Sequence, residues 1–422
     1  MTSAQHPDTV RSSPEVSARA RAMPASPIRR LAPLAEAATR RGVRVLHLNI
    51  GQPDLETPSC MREQLHQIED KVLEYSPSNG TPEFLASLQH YYQHRLGVAL
   101  DFGEIIATTG GSEAILFSLL ACANPGDGLV VLEPYYANYK AFATMAGLDL
   151  VPVTSRGREG FHIPPRHVWD RQLAVHPRPR VVILCNPNNP TGTVYSREEL
   201  EMVAGICRER DLFLISDEVY REFVYDGLSV TSALALLEHE QRVVVVDSLS
   251  KRYSACGIRL GCLVTRNRQV YDAASRMAQG RLSPPGLAQR IAVAAQGLGD
   301  EYFDGVLAEY QRRRDILFEG LSSIPGAFLL KPEGAFYCVA RLPIDDADRF
   351  AAWLLSDFQS AGRTVMVAPA SGFYASELGR QEVRIAYVLN EEDLRQAIEV
   401  LGEAVEAYPG RAATVQGSPE SW

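Results

Sequence analysis

Through the middle of the chain, short apolar runs alternate with longer stretches in which apolar residues recur every three or four positions. Gly128 to Leu132, Val181 to Cys185, Leu212 to Ser216 and Val243 to Asp247 are near-continuous β-favouring runs, the pattern of strands buried on both faces of a sheet. Between them, Glu113 to Ala123 and Arg197 to Arg210 have the length of helices. The second begins after Ser196 and carries Glu198 and Glu199 in its first turn, where acidic side chains favour a helix start. This alternation predicts an α/β fold: a large domain with a mostly parallel sheet flanked by helices. From Glu301 to Tyr408 helix and strand patterns mix, with a strand expected at Glu382 to Val388 and a helix at Glu391 to Tyr408. That mixture predicts a smaller α+β domain. The chain thus divides into a loose N-terminal extension (1–25), a segment that joins the small domain (26–60), the large domain (61–295), the small C-terminal domain (296–408) and a flexible tail (409–422).

Composition narrows the partners. At 422 residues the chain exceeds one usual core, in keeping with two domains. A net charge of -9 and a pI near 5.6 argue against nucleic acid, which requires a concentrated basic surface. No apolar run approaches the roughly 20 residues that span a bilayer, so no membrane contact is expected. The seven cysteines are scattered without a Cys-x-x-Cys pair, which reads as reduced, packed thiols and a cytoplasmic location. Residues 1 to 25 lack the apolar stretch of a secretory signal. Small molecules remain as the expected partners.

Four segments carry chemistry. Lys251 follows the run Val243 to Val246 in Asp247-Ser248-Leu249-Ser250-Lys251, so its amine emerges at the carboxyl end of a strand, where ligands bind in open α/β sheets. Arg259 lies eight residues later in Gly257-Ile258-Arg259-Leu260-Gly261, where glycines allow close approach and a guanidinium can grip a phosphate. A lone lysine after a strand is ordinarily a solvated side chain; the hydroxyls and arginine beside it change that reading. Asp217 follows the run Leu212 to Ser216, with Tyr220 three residues on. Taken alone, Asp217 fits a helix N-cap equally well. Asn186-Pro187-Asn188-Asn189-Pro190-Thr191-Gly192 is a shaped loop after Cys185 whose Asn189 can donate to a ring hydroxyl oxygen. Gly110-Gly111-Ser112-Glu113 opens a helix and suits a phosphate, although such a turn also occurs with no ligand.

The motifs Asn-Pro-x-Asn-Pro-Thr-Gly, Ser-Asp-Glu-x-Tyr and Ser-x-Ser-Lys-x(7)-Arg-x-Gly occur here in the order found in class I/II aminotransferases, enzymes of fold type I that use pyridoxal 5'-phosphate (PLP). The chain resembles that family from Pro27 to Tyr408. The resemblance implies an aspartate-aminotransferase-like enzyme that moves an amino group between an L-amino acid and a 2-oxo acid such as 2-oxoglutarate. It makes Lys251 the Schiff-base lysine, Asp217 the partner of the pyridine nitrogen, and Asn189 and Tyr220 the partners of the ring oxygen. Tyr136 would stack on the ring, while Gly111, Ser112, Glu113, Ser248 and Arg259 would meet the phosphate, the glutamate with its side chain as well as its backbone.

Further roles follow from the resemblance alone. Gly51 would flank the substrate and Arg384 would bind its α-carboxylate. Tyr75 would reach the phosphate of the neighbouring subunit, which implies a homodimer with shared active sites. Arg281, in the segment between the domains, is the candidate clamp for a second carboxylate, the alternative being a surface or dimer-contact arginine. Glu133-Pro134 and Asn189-Pro190 are expected to be cis. A carbon–sulfur lyase, synthase or oxidase would use the same cofactor residues, and a ligand-binding regulator on the same fold is the remote alternative.

Overall fold

Each continuous apolar run becomes a strand covered on both faces. The computed structural model describes residues 14–412, and its strands are β1 (Arg44–His47), β2 (Ile105–Thr108), β3 (Gly128–Glu133), β4 (Asp149–Thr154), β5 (Pro179–Cys185), β6 (Phe213–Asp217), β7 (Val243–Ser248), β8 (Gly261–Val264), β9 (Phe328–Leu329), β10 (Tyr337–Arg341), β11 (Arg363–Met366), β12 (Ala368–Pro369) and β13 (Glu382–Ala386). The large sheet has the order β2-β8-β7-β6-β5-β3-β4. Only β8 runs against its neighbours. Alternate residues feed opposite faces: Val244 and Val246 pack into one core, Val243 and Val245 into the other. This is the period of two that a strand imposes, and it explains why the runs show no polar alternation.

The helix read from Glu113 begins earlier, at Gly110, and ends at Cys122. Thr109 takes the cap position, so both glycines lie at the start of the helix rather than in a separate turn. Arg197–Glu209 starts with a capping box in which Ser196 Oγ accepts from Glu199 N at 3.2 Å and Glu199 Oε2 accepts from Ser196 N at 2.7 Å. Strands β2, β4 and β8 were not legible as runs, because two of them are only four residues long and β4 carries Pro152 on a half-exposed edge.

The C-terminal part forms an antiparallel sheet, β12-β13-β10-β9, backed by helices Asp300–Ser322 and Glu391–Ala407. The strand expected to reach Val388 stops at Ala386, and the helix expected to reach Tyr408 stops at Ala407. Strand β1 pairs in parallel with β11, and helix Ala32–Arg40 packs on Ala347–Ser356, so the segment before residue 60 builds onto the C-terminal part. Within the extension, Ala18–Ala22 is helical and touches helix Asn138–Ala146. Residues 1–13 and 413–422, the remainder of the extension and most of the tail, lie outside the described residues.

Among the described residues no helix is long and apolar enough to cross a membrane, and all seven cysteines are free thiols. Glu133–Pro134 is cis as expected. The second cis bond is Asn186–Pro187, not Asn189–Pro190. Both Asn–Pro pairs are chemically alike, and the choice falls on the one at the strand end, where the chain folds back so that Asn188 N donates to Thr193 O at 2.8 Å.

Gly261 marks the tightest packing beneath the sheet edge. A Cβ there would lie 2.5 Å from Asp247 O, 2.8 Å from Gly110 C and 2.9 Å from Gly111 N, all backbone atoms that cannot swing aside. Gly261→Ala is expected to lower stability by about 1–3 kcal/mol through overpacking, read as a lower denaturant midpoint with an unchanged slope.

Candidate active site

Parallel strands end on one edge, and the register puts three of those ends side by side. Cys185 pairs with Asp217, and Asp217 with Val246, two residues before Ser248. The loops that follow carry Asn189, Tyr220 and Lys251 to one cleft of about 1220 Å³. Gly111, Ser112 and Tyr136 reach it from the side of the large sheet, Gly51 from the segment after β1, and Arg384 from β13.

Lys251 sits on the single turn Leu249–Arg252, capped by Ser248, whose Oγ accepts from Ser250 N at 3.2 Å. Its Nζ donates to Gly51 O at 2.8 Å and lies 3.9 Å from Cys256 Sγ. Beneath that turn, fully buried Asp247 accepts from Arg252 and from Ser248 N at 2.7 Å, with Arg221 at 3.4 Å. Burial pushes the Asp247 carboxyl up, yet the two guanidinium groups outweigh it and hold the group below its usual range. The lysine therefore rests on a neutralised, anchored base.

Asp217 is different. It is equally buried, but its partners are neutral: Tyr139 OH donates to Oδ2 at 2.8 Å and Val219 N to Oδ1 at 3.5 Å. With burial dominant, its pKa rises to about 6. Tyr139 was missed in the sequence; it lies in the first turn of helix Asn138–Ala146, edge-on to the Tyr136 ring at 5.5 Å between centroids.

Tyr220 OH receives a hydrogen bond from Asn189 Nδ2 at 3.4 Å and lies 3.0 Å from Tyr337 OH. Arg384 is 1% exposed. It donates to Asn189 Oδ1 at 3.1 Å and Asn49 O at 2.6 Å, and lies over the rings of Tyr337 and Phe373. Its Nε has no partner among the described residues. Burial lowers its pKa, which the surrounding phenols partly offset.

An anion cradle completes the cleft. The N–H groups of Gly111 and Ser112 open helix Gly110–Cys122, and a helix of that length presents free donors and a positive dipole end. Arg259, at φ +53°, brings its Nη2 to 2.6 Å from where a Cβ on Gly110 would lie, so a side chain there would displace the guanidinium, and Gly110 itself takes a φ of +71° that favours glycine. Ser248 Oγ lines the same corner.

Three expected residues sit elsewhere. The Glu113 side chain turns away from the cleft, accepting from Thr109 N and from Arg281 Nη1, each at 2.7 Å. Arg281 does not line the cleft; its remaining bonds go to Ser78 O at 2.9 Å, Ala107 O at 3.2 Å and Ala278 O at 3.4 Å, so its charge is already spent on Glu113 and on backbone. Tyr75 is 80% exposed and outside the cleft of its own chain.

An amine, a buried carboxylate without a cation, and an anion cradle fit a phosphorylated pyridine aldehyde such as PLP, whose ring nitrogen, aldehyde and phosphate each meet a matching group. The partnerless Arg384 Nε fits a further carboxylate. Comparison with known proteins leads the same way. Residues 43–401 match the family "Aminotransferase class I and II". The aspartate/prephenate aminotransferase of Thermus thermophilus is 33% identical over 375 residues, covering 86% of this chain and 93% of that protein. The solved structure of Thermus thermophilus aspartate aminotransferase with maleate aligns with a TM-score of 0.82 at 30% identity, over 93% of this chain and 100% of that one. An alanine aminotransferase from Pyrococcus furiosus aligns with a TM-score of 0.84 at 27% identity, over 92% and 99%.

The isolated carboxylate has a thermodynamic signature. Because the folded pKa of Asp217, about 6, lies above its ordinary value of 3.8, the folded state holds this proton more tightly. The group's contribution to stability is thus most favourable below pH 4 and is lost as pH rises through 6. Cofactor-free Asp217→Asn protein is expected to be more stable than the unsubstituted protein at pH 7, by about 1–3 kcal/mol, and no more stable at pH 4. Denaturation midpoints across that range check it.

Proposed function

The chain belongs to the aminotransferases of class I and II, and from that premise we propose that it binds PLP at Lys251 and moves the amino group of aspartate, or another dicarboxylic amino acid, to a 2-oxo acid such as 2-oxoglutarate. The observation that carries this reading is the meeting of the Lys251 amine, the uncompensated Asp217 carboxylate and the buried Arg384 guanidinium, whose Nε is left without a partner among the described residues, in one cleft. When bound, the cofactor supplies an electron sink for the charge left at the amino acid's α-carbon. Asp217 holds a proton at the ring nitrogen, for which an anion in a dry site is well suited. Asn189 and Tyr220 orient the ring oxygen, Tyr136 covers a ring face, and Gly111, Ser112, Ser248 and Arg259 hold the phosphate. Arg384 fixes the α-carboxylate, with Gly51 backbone alongside. Lys251 Nζ is the base that moves the proton at the α-carbon.

A second carboxylate requires a second cation, and Arg281 is engaged elsewhere. Arg29 is the better candidate. It lines the cleft mouth, and its side chain makes no hydrogen bond or ion pair among the described residues. Its position is fixed by its neighbours: Pro27 presses on Gly372, where a Cβ would lie 2.3 Å away, and Ile28 packs with Ala137 and Phe373. Ile28, Ile50 and Ile115 line the same cleft, an apolar surface that also suits an aliphatic or aromatic side chain. Tyr75, exposed on a segment with Val72 and Leu73 also exposed, supports a homodimer in which it reaches the partner's phosphate. Seven free thiols suit the reducing cytoplasm.

Lys251→Ala is expected to abolish transamination and the cofactor's covalent attachment, checked by borohydride trapping and mass spectrometry. Arg29→Ala is expected to lower kcat/KM for aspartate roughly ten- to a hundredfold, the worth of one charge-assisted bond, while alanine and phenylalanine change little. Equal losses for charged and neutral substrates would point to a general role and against the dicarboxylate reading.

A further inference from the structure

Strand β10 places one phenol, Tyr337, where three parts of the cleft meet. Its hydroxyl is 3.0 Å from Tyr220 OH and 3.4 Å from Gly51 O, and its ring lies 4.5 Å beneath the Arg384 guanidinium. A Cβ on Gly51 would fall 1.7 Å from that hydroxyl, so the glycine is what admits the phenol. None of the chain's recognisable motifs includes Tyr337.

The shorter of its two contacts indicates where this hydroxyl's proton goes. Gly51 O already accepts from Lys251 Nζ at 2.8 Å, and it is the longer of the two contacts open to Tyr337. Tyr220 oxygen is the nearer acceptor, and Asn189 Nδ2 approaches it only at 3.4 Å. With the Tyr337 proton directed to Tyr220 oxygen, the Tyr220 proton is free to point into the cleft. A phenol that accepts one hydrogen bond becomes a stronger donor of another, because linked bonds polarise one another in a dry site. Tyr220 is 5% exposed, so no solvent stands in for that support.

We propose that Tyr337 is a positioning residue that sets the donor strength of Tyr220 toward the cofactor's ring oxygen, and so sets the pH at which the bound cofactor takes up its proton. This rests on the PLP reading above. A Tyr220 that donates strongly favours the anionic ring oxygen and lowers that pH; weakening the donor raises it.

The experiment is a pH titration of the visible absorption of the PLP-loaded protein without substrate. A Lys251-dependent absorption band in the unsubstituted protein, lost in Lys251→Ala, establishes the reading on which the inference rests; its absence would overturn that reading and the inference with it. Given the band, Tyr337→Phe, which keeps the ring under Arg384, is expected to raise the midpoint by about half a pH unit, or roughly threefold in proton affinity. In a Tyr220→Phe background the same substitution is expected to add nothing, since the group it acts through is gone. An unchanged midpoint in Tyr337→Phe, or an equal shift in both backgrounds, would overturn the role of Tyr337 and leave the PLP reading standing. If Tyr337→Phe does not fold, Tyr337→Leu is titrated in the same two backgrounds with the same criterion.

Discussion

A carboxylate buried among the ends of apolar strands, with a phenol and a backbone N–H as its only hydrogen-bond donors, is the constraint around which this cleft is organised. Asp217 is held there by the sheet itself: its neighbours in register are Cys185 and Val246, and neither supplies charge. An isolated buried anion is unfavourable. A protein keeps one when something that arrives later compensates it. The contrast with Asp247 is instructive, because that residue lies on the adjacent strand, equally buried, with Arg221 and Arg252 against it. One aspartate is neutralised by the chain and serves as foundation. The other faces the cleft with no cation beside it.

The second organising feature is that the cleft is not the property of the large sheet alone. Asn49 and Gly51 come from the segment that follows β1, and β1 pairs with β11. Their carbonyls accept from Arg384 and Lys251 respectively. The amine on the large sheet and the guanidinium on β13 are thus tied to adjacent stretches of one strap of chain. A shift of the C-terminal part relative to the large sheet moves the carboxylate site and loosens the hold on the amine together.

Much of this was legible beforehand, and the reasons are physical. The four long apolar runs became strands because a doubly covered strand tolerates no polar positions, and the residues directly after them, Asp217, Lys251 and the Asn186–Gly192 loop, had to share an edge once the strands were parallel. Strands β2, β4 and β8 were too short or too exposed to stand out. The pairing of Arg281 was not legible because sequence position says which segment a residue occupies but not which partner claims its charge; Glu113, 168 positions away, is invisible to any local pattern. Tyr337 and Tyr139 were missed for the same reason. Each acts through a residue distant in the chain, and tertiary contact alone reveals it.

The reversed strand β8 has a consequence beyond packing. Ser248 and Gly261 are direct partners in the ladder, so the intervening residues form a loop closed at its base by two paired strands. That loop carries the amine, the neighbouring thiol of Cys256 and the guanidinium of Arg259. It is in effect a cartridge with a fixed mounting. The seam at 248 and 261 holds the register, so adding or removing a residue between Lys251 and Arg259 would move amine and guanidinium apart.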